Sequence, residues 1–503
     1  MSELLRPGAT QERADEARTS FLVGAITASG MVKSTLGPRG MLKLLYTQRG
    51  EPIITNDGAT VLKNTVPNGA SAKILINSAA EHSAKEGDGT TTLTVLTGEL
   101  LHEADKLIFK GMHPYKVITE YRKAHKKALL KLREISKISA TDDADNRLFL
   151  AKTTLSSKFS PIELEALSSL ALDISKRVDS VEMVNIIKIP GSELSSSYIH
   201  PGLLIESDVG PGQKHKVANP KVLIANTSMD ADRVKIFGAK ATVSSPADLE
   251  RIEAAENERM AKKVEIMAES ADVIVNRQII YDYPTQEFTR RGKVSIERAD
   301  FTGVEMVAKV LKGTILSTFE SVQESDLGRC EMFERVSIHG RVFCAFTGLP
   351  DTGACSVVIR GHTKEMLEEC ERSLIGAVKV LLMNKKDEYV PGGGSAEAAV
   401  SFLLQAETEG ERAYARALME VVRILADNAG LSSEVVDKIT EKVAAGEYSY
   451  GVGETGAECM NSKKVKESLR LKEIVWSRAA ETAEMLLRCD SNIKCRPRER
   501  VHE

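Results

Sequence analysis

Two stretches of helix-like periodicity, one at each end of the chain, enclose a middle of different texture, and this arrangement constrains the fold of the 503 residues more than any other feature. Over residues 11–137 charged and apolar residues recur every three or four positions, and Gly and Pro punctuate at LGPRG, NDGAT and GMHP. The spacing predicts a helix over 92–109, with Leu93, Leu96, Leu100, Ala104 and Leu107 on one stripe and a stop at Gly111 and Pro114, then a second helix over 115–136. The same texture returns over 392–488. The middle instead alternates short β-branched runs, KVLIA at 221–225, ADVIV at 271–275 and KVSI at 293–296, with helical patterns, which predicts an α/β module. More strand-like pieces follow at 335–338, 341–346 and 356–360, and then a helix over 364–383. Because the two ends match, they are expected to build one domain jointly, with the other domains inserted between them and the termini close together. Aromatic residues make up only 5% of the chain, with Trp476 the single tryptophan, so the cores are built mainly from Ala, Leu, Val and Ile.

Charge and composition exclude several functions. Lys and Arg number 68 against 71 Asp and Glu, a net charge of −3 that offers no polybasic footprint, so nucleic acid is not expected as a partner. No stretch approaches the roughly 18 apolar residues of a bilayer span, and the polar, mixed-charge N-terminus reads as neither a signal nor a transit peptide, so no membrane partner is expected. The seven cysteines lie in the second half with no CxxC pair, which fits free thiols in the cytoplasm better than zinc or disulfide frameworks. The nine histidines show no ligand spacing and read as packing or surface residues. A long charged segment, LERIEAAENERMAKKVEIMAES within 246–270, has few apolar residues and predicts a solvated or projecting helix.

Three segments combine Gly, Asp and Thr: Leu36-Gly37-Pro38-Arg39-Gly40, Thr55-Asn56-Asp57-Gly58-Ala59-Thr60 and Gly87-Asp88-Gly89-Thr90-Thr91-Thr92. A fourth, Gly392-Gly393-Gly394, opens a helix. Glycines let backbone approach a phosphate closely, and amides at the helix start after Gly89, with the hydroxyls of Thr90 and Thr91, can donate to phosphate oxygens. A carboxylate inside such a cradle repels a triphosphate unless Mg²⁺ lies between them, and Asp88 is placed for that role. A carboxylate facing away from the phosphates can orient an attacking water; Asp57 and Asp387 are candidates, and spacing alone does not choose between them. No GxxxxGK[ST] pattern occurs, and the GxGxxG at 451–456 lacks the βαβ setting of a dinucleotide site.

In their order and separation, TLGPRGMLKLL, TNDGATVLKN, EGDGTTTLTVL, TTLSSK, PGGGSAEAA, ADNAG and AAETAEMLLRCD resemble segments of the group II chaperonins, and the likeness extends along nearly the whole chain. The resemblance implies a multidomain α/β fold. A mainly helical equatorial domain would come from 1–138 and 392–503, a small α/β intermediate domain from 139–207 and 354–391, and an α/β apical domain from 208–353, with a helical lid protrusion at about 240–270. It also implies a double ring of eight paralogous subunits per ring, hetero-oligomeric and cytoplasmic, that encloses unfolded polypeptides such as cytoskeletal proteins and is driven by Mg-ATP. Carried over by position, Leu36, Gly37, Pro38, Asn56, Gly58, Gly89, Thr90, Thr91 and Thr92 would contact the nucleotide, and Asp88 would hold Mg²⁺. Asp57 and Asp387 would position the water, Lys158 in TTLSSK would sense the γ-phosphate, and Gly393 and Glu467 would lie near base and ribose. Tyr283, Phe288 and Arg291 would face clients. The chain departs from the family pattern where an acid usually stands six residues before the triple glycine: Lys386 is there, and Asp387 stands five before. That departure motivates an alternative, a ring subunit that binds nucleotide but hardly hydrolyses it. A solitary metabolic kinase or ATPase has only the Gly/Asp loops in its favour.

Overall fold

The computed structural model describes residues 10–46, 50, 52–65, 69–138, 145–229, 246–297, 301–319, 322–350, 353–384 and 386–494. The chain forms two compact units, one from residues 1–172 and 364–503 and the other from 173–363.

The first unit is the helical one, and it is assembled from both ends as the texture predicts. Its centre is the helix Thr90–Phe109, packed by Ala14–Lys33, Ala70–Glu86, Pro114–Ile138, Glu409–Asn428 and Leu469–Leu487. Leu93, Leu96, Leu100, Ala104 and Leu107, the predicted stripe, are all buried, but so are Val95 and Leu101 on other faces. A stretch enclosed on all sides, as residues 93–101 are, must satisfy its polar side chains internally. Thr94 and Thr97 do so by donating their hydroxyls to the carbonyls of Thr90 (2.8 Å) and Leu93 (2.7 Å). Trp476 and Tyr414 are the largest side chains fully buried here. The strand Thr10–Arg13 pairs antiparallel with Ser491–Lys494, which brings the two ends of the described chain together as expected.

Short strands interrupt the helical texture where only helices are expected. Lys43–Tyr46 and Pro52–Thr55 form a hairpin. Pro38, Gly40, Gly50 and Pro52 break the helical period, and the hairpin leaves Leu44 and Tyr46 exposed beside the exposed Met41 and Leu42. Tyr389–Pro391 pairs with Lys466–Ser468, and Tyr450–Val452 with Ala457–Cys459. The last hairpin carries the GxGxxG match, which is therefore a turn between antiparallel strands and not a dinucleotide loop.

Among the described residues the second unit holds three sheets. In the parallel one, Val294–Ile296, Val273–Asn276, Lys221–Ala225 and Ile315–Leu316 lie in that order, and Gly328–Arg329 pairs antiparallel with Lys221–Ala225. All three predicted strand runs fall on it, and the helices Pro246–Ser270, Asp282–Arg290 and Phe301–Leu311 connect its strands. The charged helix divides by sequence. Its described residues from 250 to 259 are exposed, whereas Val264, Met267 and Ala268 pack into a core with Leu223, Ile274 and Phe288. The exposed half is solvated, as its composition predicts. Gly202–Ile205, Arg341–Thr347, Met332–Ile338 and Lys216–Ala218 form an antiparallel sheet, and Cys355–Gly361 is sandwiched between Val184–Pro190 and Tyr198–His200. Ile187, Ile189, Leu204, Phe343, Ala345 and Val358 form one core shared by these two sheets.

Candidate functional site

Two of the Gly/Asp/Thr segments, those of Asp57 and Asp88, meet at the N-terminus of the helix Thr90–Phe109. Gly89 precedes it with a left-handed φ of +83°, a conformation that glycine adopts without strain. The first intrahelical bond is Leu93 N–H to Gly89 O (2.9 Å), so the amides of Thr90, Thr91 and Thr92 precede the helical ladder and point outward, as first-turn amides must. Asp57 caps the short helix Gly58–Asn64. Its Oδ2 accepts from Thr60 N–H (2.9 Å) and Thr60 Oγ1 (2.7 Å), and its Oδ1 lies 3.4 Å from Thr90 Oγ1. Gly58 permits this approach: a Cβ there would stand 2.7 Å from Thr91 Oγ1.

Asp88 is the electrostatic focus. Its Oδ1 accepts from Gly89 N–H (2.7 Å), and the Thr154 hydroxyl, which donates to Leu150 O (3.1 Å), lies near enough to favour its charged form. Burial raises its pKa above the usual carboxylate range, Lys158 and the hydrogen bonds oppose that rise, and the negative charge of Asp57 adds to it. Two carboxylates thus sit together with one nearby ammonium, an arrangement that a cation would relieve. Asn56 donates to Ser157 O (2.8 Å), tying the Asp57 turn to the segment that carries Lys158, while its own buried Oδ1 has no hydrogen-bond partner among the described residues.

Leu36, Gly37 and Pro38 follow the first helix, with Leu36 buried and Gly37 at φ +89°. Asn428, in ADNAG, donates to the carbonyls of Lys33 (2.8 Å) and Leu36 (2.9 Å) and so clamps this loop from 392 residues away. In the triple glycine, Gly393 O accepts from Val452 N–H (2.8 Å). Glu467, on Lys466–Ser468, pairs with the ammonium of Lys472, which also binds the buried Glu397. Burial raises the pKa of Glu467, Lys472 pulls it down, and Glu397 and Asp88 push it up, so Glu467 lies within electrostatic reach of Asp88.

The structure therefore links Asp57, Asp88, Thr90, Lys158 and Glu467. Asp387 stands apart from these interactions among the described residues: it is exposed, holds a left-handed φ of +51°, and its Oδ1 accepts from the Tyr389 hydroxyl (2.9 Å). Thr154, Asn428, Lys472 and Glu397 are members or supports of the site that the motifs do not single out, although Asn428 lies inside one of the segments that carry the resemblance. His82 is another. It is fully buried, and its Nε2 donates to Asp88 O (2.8 Å).

The client-facing residues need one correction. Phe288 is completely buried on the inner side of the helix Asp282–Arg290, packed in the core under the parallel sheet, so it cannot face a client. Tyr283 is exposed on the same helix. Arg291 pairs with Glu265 (3.6 Å) and Glu287 (4.0 Å), joining this helix to Pro246–Ser270.

A two-ended helical unit that carries Gly/Asp loops at a helix start, with an inserted α/β unit bearing a charged helix, fits a chaperonin subunit. The chain belongs to the TCP-1/cpn60 chaperonin family, whose model matches residues 29–497. It is similar over its whole length to proteins named T-complex protein 1 subunit beta. The Saccharomyces cerevisiae protein is 40% identical over 510 residues, covering 97% of each chain. The Encephalitozoon cuniculi protein is 39% identical over 99% of this chain and 98% of its own. The Homo sapiens protein is 39% identical over 99% of this chain and 97% of its own. The resemblance read from the loops holds, and it extends to this subunit type.

Proposed function

We propose that this chain is an ATP-hydrolysing subunit of a hetero-oligomeric, cytoplasmic double-ring chaperonin, eight paralogous subunits to a ring, that encloses unfolded polypeptides. The observation that carries the reading is the convergence of Asp57, Asp88 and Lys158 on the first turn of Thr90–Phe109. The amides of Thr90, Thr91 and Thr92 would bind phosphate oxygens with the helix dipole behind them, and Lys158 would neutralise the terminal phosphate. Leu36, Gly37, Pro38, Asn56, Gly58 and Gly393 would line the nucleotide. The carboxylate surplus at Asp88 suits Mg²⁺, which binds through one or two carboxylates together with phosphate oxygens, and no group of three or more His, Cys, Asp or Glu among the described residues could hold a metal by itself. When bound there, Mg²⁺ supplies charge neutralisation for the transferring phosphoryl group. Asp57 keeps Oδ2 on Thr60 and has only a long contact at Oδ1, which leaves that oxygen to orient a water.

The division into equatorial, intermediate and apical domains at the boundaries given above is part of this reading. Assembly draws support from the exposed apolar hairpin at Leu44 and Tyr46, a surface that suits a neighbouring subunit. Client binding draws support from exposed Ile266, Ile279, Tyr281 and Tyr283 on and beside the two helices that Arg291 joins.

A second reading, nucleotide binding with little hydrolysis, is favoured by one observation, the exposed Asp387 turned to Tyr389. Single-turnover assays of Asp57→Ala and Asp387→Ala in the assembled particle decide between the two. Loss of ADP formation in Asp57→Ala supports hydrolysis at this site. ATP recovered intact from the unmodified subunit supports the second reading. Native mass near that of sixteen chains averaging 54.8 kDa supports the ring, and a persistent single chain removes the folding chamber.

A further inference from the structure

The buried charge cluster that supports Glu467 carries no step of the chemistry above. Lys472 and Glu397 are 6% and 1% exposed, and the Lys472 Nζ lies 2.8 and 3.0 Å from the two carboxylate oxygens of Glu397 while also pairing with Oε2 of Glu467. Burying such a trio costs several kcal/mol of desolvation, and apolar side chains of equal volume would stabilise the fold as well or better. Its use therefore lies in fixing geometry. The strand pairing sets Glu467 opposite Val390, one residue from Pro391 and next to the triple glycine. Oε1 of Glu467, the oxygen that Lys472 does not hold, faces Gly392 so closely that a Cβ there would stand 3.0 Å from it. Glycine at 392 leaves that oxygen uncovered.

We propose that Lys472, backed by Glu397, is a positioning residue that clamps Glu467 by one carboxylate oxygen and so presents the other as a fixed acceptor to the sugar hydroxyls of the bound nucleotide. The proposal rests on the nucleotide reading of the site, and it makes sugar recognition depend on two residues that touch no nucleotide. Lys472 holds Glu467 with a charge-assisted bond, the kind that keeps a carboxylate in one orientation. Without that clamp the carboxylate rotates and the acceptor is lost, even if the phosphate cradle is intact.

The test compares binding of ADP and 2′,3′-dideoxy-ADP by calorimetry on the full-length chain in the assembly it forms. The unmodified chain is expected to prefer ADP by about ten-fold or more, as for a hydroxyl bonded to a charged acceptor. Lys472→Arg should keep that preference. The double variant Lys472→Met/Glu397→Gln removes one positive and one negative charge, leaves the net charge of the trio unchanged, and should bring the ratio to about one with dideoxy-ADP affinity retained. A double variant that still prefers ADP overturns the proposal. Equal weakening of both nucleotides overturns it too, because it shows a structural role only. If the unmodified chain binds both alike, Glu467 does not read the sugar and the proposal falls; if it binds neither, the nucleotide reading itself falls.

Discussion

His82 makes the first-turn site sensitive to acid in a way that can be measured. It is fully buried under the Asp88 loop, its Nε2 proton is spent on the Asp88 carbonyl at 2.8 Å, and its buried Nδ1 has no hydrogen-bond partner among the described residues. A second proton would be a buried donor facing nothing. Burial accordingly lowers the pKa from 6.5 to about 4, the hydrogen bond to Asp88 opposes that, and Arg478 adds to it. The folded pKa lies below the unfolded one, so between pH 6.5 and 4 the unfolded chain binds more protons. Stability then falls as pH drops through 6.5 and levels off below about 4. At pH 5 the loss from this one group is about 2 kcal/mol relative to neutral pH. His82→Gln retains an N–H donor for the Asp88 carbonyl but cannot take up the proton. Native-state hydrogen exchange of the amides in Thr90–Phe109, compared at pH 7.5 and 5, should show a stability difference smaller by about 2 kcal/mol in the variant. An unchanged difference would refute the reasoning, since it would mean that His82 titrates in the folded chain as it does in the unfolded one.

Further expectations follow from single contacts. Asn428→Ala removes both donors that hold the loop at Lys33 and Leu36, and should cost about 2 kcal/mol in chemical denaturation and weaken nucleotide affinity, with wild-type affinity counting against the clamp. Phe288→Ala should destabilise the second unit by about 3–5 kcal/mol, whereas Tyr283→Ala should stay within about 0.5 kcal/mol and lower client capture; thermal melts and a client-binding assay separate the two. Burial raises the pKa of Cys459, but hydrogen bonds from Ser449, Ser462 and the Asn461 and Ser462 amides outweigh it and lower the thiol, while burial pushes Cys344 up to about 12. Iodoacetamide should label Cys459 in the folded chain and Cys344 only after unfolding, as read by peptide mass mapping.

The sequence discloses those parts of the fold whose causes are local. Period alone located Thr90–Phe109, Lys364–Met383 and the charged helix, because an apolar stripe or its absence is a property of consecutive residues. The strand runs at 221–225, 273–276 and 294–296 were legible for the same reason, since strands covered on both faces read as unbroken apolar runs. The hairpin Lys43–Tyr46 with Pro52–Thr55 was not. Its outward face carries Leu44 and Tyr46, so the alternation of apolar and polar residues that marks a half-buried strand is missing. Phe288 misled in the opposite sense: an aromatic beside Arg290 and Arg291 reads as surface, but it falls on the inner face of the turn while Tyr283 falls outside.

The same distinction divides the site. Asp57 and Asp88 could be found because each lies in a turn whose glycines and threonines are its own neighbours, so the motif contains its own geometry. Asn428 and Lys472 act on partners 392 and 75 residues away, and only strand pairing and helix packing bring them there. Asp387 is the converse case, a motif neighbour whose carboxylate takes the Tyr389 hydroxyl and not a partner from the other Gly/Asp loops among the described residues. The backbone at Asp387 is left-handed, and its carboxylate accepts from the Tyr389 hydroxyl. A non-glycine residue held in that conformation costs about 1 kcal/mol or more, which the short connection between Asn384 and the strand Tyr389–Pro391 must offset. If that strain is what turns the carboxylate away, Asp387→Gly should stabilise the unit while leaving ATP affinity unchanged. Reduced hydrolysis in the same variant would show instead that Asp387 reaches the water despite its position.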